Sequence, residues 1–392
     1  MIYRDYLIVG AGLSGASVCE GIRGHDRKGS VTMVGAESYL PYNRPPLSKA
    51  FLKSPKSSIE KLYQFDAAWY DKHKIELRLD TMVTQFNIER RLAVLRNGQT
   101  IEFRKACLAT GSRPRRPPVA GANLGNVFYL GNLRDALAIK DIATIQKALV
   151  VIGGGFIAAE ASAALLEAKC KVILMNRDQY LWQKWLDPET SQWLTNYFAD
   201  KGVTLMMQEN LNGFEGKTIL KNIQTKSGTR FAAGMALVAL GADPNIELVL
   251  HTPLGSPNGT PVNEYLETDE KGIFAAGDIA LYPDKIFDGV RRIAHWENAI
   301  EQGKIAGANM TGKKRIKFEY VPYFFSDLFD LSFQFVGDFS LPPGSVKLEG
   351  ERKKRSFIAR YYIGNKLRGI VLCNQTAEKA KAAREEIRGA YK

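Results

Sequence analysis

Two stretches of this 392-residue chain put glycines where a backbone can come close to phosphate. Residues 5 to 15 read Asp-Tyr-Leu-Ile-Val-Gly-Ala-Gly-Leu-Ser-Gly, an apolar strand running through G-x-G-x-x-G into a helix. Gly10 permits the sharp exit from the strand, Gly12 lets main chain approach a pyrophosphate, and Gly15 lets the helix pack against the strand. Leu13 and Ser14 open that helix, whose free N–H groups and positive dipole end attract phosphate. After a second apolar strand, Ser30 to Val34, Glu37 stands where an acid binds a ribose hydroxyl pair.

Residues 148 to 160 repeat the pattern as Ala-Leu-Val-Val-Ile-Gly-Gly-Gly-Phe-Ile-Ala-Ala-Glu. Gly153, Gly155, Phe156, Ile157 and Ala158 form the turn, in the G-x-G-x-x-A variant, and Glu160 follows it. One such fingerprint is weak, but two in strand–turn–helix context point to two dinucleotide-binding domains. The strand after the second turn, Lys171 to Met175, ends in Asn176-Arg177 where an acid would accept the ribose of NADH. These residues read in more than one way. Arg177 and the lost carboxylate suit the 2′-phosphate of NADPH; alternatively the site takes NADH with relaxed selectivity, or binds neither nucleotide well. Asp178 follows directly and leaves the choice open.

Three further segments are too specific for generic loops: Pro41-Tyr42-Asn43-Arg44-Pro45-Pro46-Leu47-Ser48-Lys49, Ala109-Thr110-Gly111-Ser112, and Gly272-Ile273-Phe274-Ala275-Ala276-Gly277-Asp278. With the two turns, they make the chain resemble the FAD-dependent pyridine-nucleotide oxidoreductases from Tyr6 to about Gly337. The branch it resembles most holds the oxygenase-type ferredoxin reductases, putidaredoxin and rubredoxin reductases and apoptosis-inducing factor. The resemblance implies that Arg44 and Lys49 face the flavin, that Gly277 and Asp278 hold the ribityl chain, and that Ala109-Thr110-Gly111 forms the crossover beside FAD. It places His295 and Trp296, at the start of a helix, near the pyrimidine ring, where a helix N-terminus stabilises negative charge on the reduced flavin. Lys49 would stabilise the charge that hydride transfer creates at the ring, with Glu160 as its paired carboxylate. The resemblance further implies that Gly241 belongs with the nicotinamide site and that Phe325 forms an aromatic wall where relatives commonly carry tryptophan. A second departure is Gly131, where relatives tend to have arginine.

Composition narrows the reading further. Cys19, Cys107, Cys170 and Cys373 are scattered without a C-x-x-C or C-x4-C arrangement, so they are expected to be buried apolar residues and not a redox pair. Four histidines form no ligand cluster, and no metal site is expected. The net charge of +13 suits an acidic partner, but the basic runs accompany no nucleic-acid-binding motif, and nucleic acid is not expected. No integral membrane segment and no leader is expected, and the cytoplasm is the default compartment.

Proline-rich, basic sequence at Arg113 to Pro118 and the turn at Gly241 to Asn245 mark crossings between domains. The expected architecture is α/β: two Rossmann-like dinucleotide-binding domains plus a C-terminal α+β domain. Residues 1–112 and 242–318 would form the FAD domain, 113–241 the NAD(P)H domain, and 319–392 the C-terminal domain, ending in an amphipathic helix from Thr376 to Tyr391. The expected activity is NAD(P)H:ferredoxin-type reduction, with hydride passing to flavin N5 and single electrons leaving to a small acidic ferredoxin or Rieske-type iron–sulfur protein. A homodimer is among the assemblies the resemblance allows. Two rivals stand beside it: an NAD(P)H oxidase or quinone reductase, and a redox-responsive binding module like apoptosis-inducing factor.

Overall fold

The computed structural model describes residues 2–54, 56–146, 148–341 and 344–391. The chain forms two compact units, one of residues 1–43, 58–113 and 243–323, the other of residues 44–57, 114–242 and 324–392.

The first unit is built on a seven-stranded sheet. Ile75–Arg78, Val31–Val34, Ile2–Val9 and Thr100–Leu108 lie side by side in parallel, and Ile273–Ala275 pairs in parallel with Thr100–Leu108. Leu92–Leu95 and Val83–Asn87 extend the sheet as an antiparallel hairpin. Tyr6 to Val9 are almost fully buried, and so are Ala106 to Leu108. Continuous apolar runs of this kind belong to strands covered on both faces. The helices Leu13–His25 and Trp296–Thr311 pack closely along one another. Glycines make that approach possible: a Cβ on Gly307 would sit 2.2 Å from the carbonyl oxygen of Val18. Strand order reverses at Ile2–Val9, the position at which open α/β sheets bind ligands at their strand ends.

The second unit holds an all-parallel sheet in the order Thr204–Met207, Lys171–Asn176, Ala148–Ile152, Met235–Val238, Val127–Phe128. The helix Phe156–Glu167 follows the central strand. A three-stranded antiparallel sheet, Leu211–Gly216, Leu220–Thr225 and Arg230–Ala232, joins this part. The C-terminal residues form a five-stranded sheet from Tyr323–Leu328 to Ser345–Glu351, with the amphipathic helix Ala377–Ala390 on it. Asp187 fastens this sheet to the parallel one, accepting from the Tyr361 hydroxyl at 2.9 Å and pairing with Arg352 at 3.1 Å.

Candidate functional site

Gly10 leaves its strand at φ +120°, and a Cβ there would meet the Ala109 carbonyl oxygen at 2.1 Å. No side chain other than hydrogen fits. Gly12 caps the helix Leu13–His25 without a side-chain hydrogen bond, so the first helical N–H groups stay open to a ligand. A Cβ on Gly12 would meet no protein atom within 4 Å, which leaves a clear approach to the helix end. Gly15, by contrast, packs against the Gly10 carbonyl oxygen, 2.0 Å from where its Cβ would be. The buried Ser14 hydroxyl, in the first turn, has no hydrogen-bond partner among the described residues. A buried hydroxyl left unsatisfied at a helix N-terminus fits a phosphate-bearing ligand.

Glu37, Ala109, Thr110, Gly111, Gly277, Asp278, His295 and Trp296 lie in the same unit, whereas Arg44, Lys49 and Phe325, also expected at this site, belong to the second unit. Glu37 accepts from the Tyr42 hydroxyl at 2.6 Å. Ala109 is buried at the end of its strand, and Thr110 exchanges two hydrogen bonds with Asn245, at 2.7 and 2.8 Å. Gly111 turns at φ +71°, and its carbonyl accepts from the Asn245 N–H. Gly277 lies against Ser14, and its N–H donates to Gln302 at 2.8 Å. Asp278 accepts from the Ser112 hydroxyl at 2.6 Å. His295 is the cap residue of the helix Trp296–Thr311, and burial pushes its imidazole down to about 4, so the ring is neutral at pH 7. The Trp296 indole donates to Asn43 at 2.6 Å. Asn298 Oδ1 and Gln302 Nε2 on this helix are buried and, like Ser14, lack partners within the protein. The residues present therefore fit a dinucleotide with a polar extension. Asn245, Ser112, Gln302 and Asn43 were assigned no role from sequence, since single amides and hydroxyls carry no spacing signal.

The second turn has the same form. Gly153 adopts φ +135° beside the Ala239 carbonyl, and Gly155 caps the helix Phe156–Glu167 with no side-chain bond. Ala158 is buried against the strand and Ile157 is exposed. The Phe156 ring lies between Trp182, Trp185 and Phe324, with centroids 4.6 to 4.8 Å away. Asn176 is the last residue of its strand, and its buried amide lies over Gly154 and reaches the carbonyls of Asp178 and Tyr180 at 3.4 Å. Arg177 is largely exposed, with Asp178 3.6 Å from its Nε. Gly241 turns at φ +101°, and its carbonyl accepts from the Arg115 N–H.

Lys49 and Glu160 are brought together by the short helical segments of residues 45–53 packing on the helix Phe156–Glu167. Their charged atoms are 3.1 Å apart, with side chains 13% and 6% exposed. The Lys49 ammonium also lies 4.5 Å from the Phe325 ring centre. Ser48 and Ser326 donate to the two oxygens of Glu160 at 2.5 and 2.6 Å. Burial raises the Glu160 carboxyl, opposed by Lys49 and the two hydroxyls. Arg44 donates to the carbonyl of Gly131.

All four cysteines are buried and form no disulfide, and the described residues contain no cluster of potential metal ligands. No helix among them is long and apolar enough to cross a membrane.

The sequence profile described as pyridine nucleotide-disulphide oxidoreductase matches residues 4–303. Putidaredoxin reductase of Pseudomonas putida is 31% identical over 95% of this chain and 89% of its own length. Rhodocoxin reductase of Rhodococcus erythropolis is 30% identical over 96% and 88%. Among solved structures, the covalent putidaredoxin reductase–putidaredoxin complex matches with a TM-score of 0.92 at 30% identity, covering 99% of this chain and 93% of that one. The expected architecture of two dinucleotide-binding domains plus a C-terminal domain is the one found. The chain belongs to the pyridine nucleotide-disulphide oxidoreductase family, and is a flavin-dependent enzyme that uses a nicotinamide nucleotide without a paired-cysteine centre among its described residues.

Proposed function

We propose that this protein is an FAD-dependent NAD(P)H:ferredoxin-type reductase. The observation that carries the reading is the uncapped Gly10–Gly15 cradle with the partnerless Ser14 hydroxyl inside it. Gly10, Gly12, Leu13, Ser14 and Gly15 would hold the FAD pyrophosphate, and Glu37 the adenosine ribose. Asp278 and Gly277 would hold the ribityl chain, with Ala109, Thr110 and Gly111 beside it. A bound flavin accepts a hydride and releases electrons one at a time.

The remaining chemistry belongs to side chains. His295, neutral at pH 7, adds no charge at the N-terminus of its helix, whose dipole would stabilise negative charge on a bound flavin. Trp296 is held by Asn43, and Arg44 and Phe325 would face the flavin. Lys49 supplies a fixed positive charge where negative charge develops, and Glu160 orients it. Gly153, Gly155, Phe156, Ile157 and Ala158 would take the nicotinamide nucleotide, with Asn176, Arg177 and Gly241 around it. The domain limits at residues 112, 241 and 318 are part of this proposal. So is a cytoplasmic setting, since four cysteines outside any disulfide suit a reducing compartment.

The acceptor we assign is a small acidic ferredoxin or Rieske-type protein. Support comes from the likeness to putidaredoxin reductase and from the +13 charge, which speeds encounter with an acidic partner. The test compares a [2Fe–2S] ferredoxin, a quinone and oxygen as acceptors under the same nicotinamide supply. Faster turnover with the ferredoxin is expected. Equal or faster turnover with quinone or oxygen would favour the oxidase or quinone-reductase rival.

A further inference from the structure

Glu160 is 5% exposed, and a carboxylate so enclosed stays charged only if its oxygens are satisfied. Lys49 alone does not do this. Its ammonium reaches Oε1 at 3.1 Å, an oxygen that also accepts from the Ser326 hydroxyl at 2.6 Å. Oε2 accepts from the Ser48 hydroxyl at 2.5 Å. No other donor among the described residues bonds this carboxylate.

The two serines come from different parts of the chain. Ser48 precedes Lys49, and Ser326 follows Phe325, whose ring lies against the Lys49 ammonium. Both are buried, Ser326 completely. Ser48 thus bonds the glutamate from the residue beside the lysine, and residues 325–326 touch both members of the pair, Phe325 the lysine and Ser326 the glutamate.

We propose that Ser326, together with Ser48, is a positioning group that keeps the Glu160 carboxylate charged and aimed at Lys49. This rests on the reading of Lys49 as the cation beside the electron-accepting ring. Burial pushes the Glu160 carboxyl toward protonation, and hydrogen bonds from hydroxyls to the ionised form oppose it. A proton on Glu160 would remove the counter-charge that orients Lys49. Among the other charged groups on the neighbouring elements, Arg44 donates to the Gly131 carbonyl and the Lys140 ammonium lies 4.7 Å from the Phe51 ring centre. Lys53 pairs with Glu167 at 2.8 Å, Asp327 accepts from the Ser332 hydroxyl at 2.8 Å, and Lys171 is exposed at the start of its strand.

The test uses Ser326→Ala and Ser326→Thr in the flavin-loaded enzyme. Infrared titration follows the Glu160 carboxyl, assigned by its loss in Glu160→Gln, and stopped flow gives the pH profile of nicotinamide-driven reduction. Losing one hydrogen bond to the charged form is expected to move Glu160 protonation up by about one pH unit. The acid limb of the reduction profile should move with it, and Ser326→Thr should restore both. An unshifted carboxyl band in Ser326→Ala overturns the proposal whatever the rate does. A shifted band with an unshifted rate profile upholds the clamp and removes the role assigned to Lys49. Should Ser326→Ala not fold, Ser48→Ala asks the same question at Oε2.

Discussion

A buried ammonium paired with a buried carboxylate adds little net stability, because desolvation offsets most of the attraction. The Lys49–Glu160 pair, at 3.1 Å and nearly enclosed, therefore makes sense as a fixed field more than as a fastening. Such a field acts where charge develops and needs no rearrangement as it does so. Lys49→Ala is expected to slow nicotinamide-driven reduction about 10- to 100-fold while flavin content stays at the wild-type level. Stopped-flow reduction checks this, and unchanged kinetics would take Lys49 out of the mechanism. At this scale the sequence disclosed only part of the site. Lys49 and Glu160 were visible because they sit in recognisable segments. Ser326 was not, because a serine hydroxyl 166 positions from its partner has no local signature. Ser48 stood inside a quoted motif and still gave no hint that it bonds Glu160.

In each unit a glycine leaves open the helix end proposed to hold a nucleotide. Gly12 and Gly10 differ in a way that can be measured. A methyl group on Gly12 meets no protein atom but enters the space a pyrophosphate needs, whereas one on Gly10 collides with backbone. Gly12→Ala should thus fold with a melting temperature within a few degrees of wild type, an N-cap change costing about 1 kcal/mol, yet lose most of its flavin. Full flavin occupancy in that variant would contradict the cradle assignment. The helix Trp296–Thr311 makes a second prediction through its cap residue. With the His295 imidazole lowered to about 4, the folded state binds fewer protons than the unfolded chain between that value and about 6.5. Stability is full above pH 6.5 and falls as pH drops toward 4, by on the order of 3 kcal/mol. His295→Asn should flatten this part of a denaturation-versus-pH curve, and an equally steep curve would refute the assignment. Gly10, Gly15 and Gly153 were legible because conformation and close approach restrict those positions to one residue type. Phe156, in contrast, announced nothing of its packing with Trp182, Trp185 and Phe324, which depends on chain segments that meet only after folding.

For the whole molecule, a repeated βαβ pattern was enough to foresee two nucleotide-binding folds, since parallel strands buried on both faces read as plain apolar runs. Harder to foresee was that residues 44–57, a short loop-and-helix segment, cluster with the second unit and not with the strands that flank them in sequence. Propensity is silent on such a choice, which follows from the packing of Phe51 and Leu52 in a buried setting and from the Lys53–Glu167 pair. The net charge of +13 acts at this scale too. If it steers an acidic iron–sulfur partner, raising the ionic strength should lower the second-order rate of ferredoxin reduction several-fold while quinone reduction holds steady. Equal salt dependence for both acceptors would deny the charge that role. The central claim is that one chain holds a flavin and a nicotinamide nucleotide for direct exchange. Its most direct test is anaerobic addition of NADH or NADPH to the purified protein while the visible flavin absorption is recorded. The expected result is a yellow protein that bleaches within the turnover time and recovers its colour on adding an oxidised ferredoxin. Protein that stays colourless after refolding with FAD, or a flavin that neither nucleotide reduces, would contradict it.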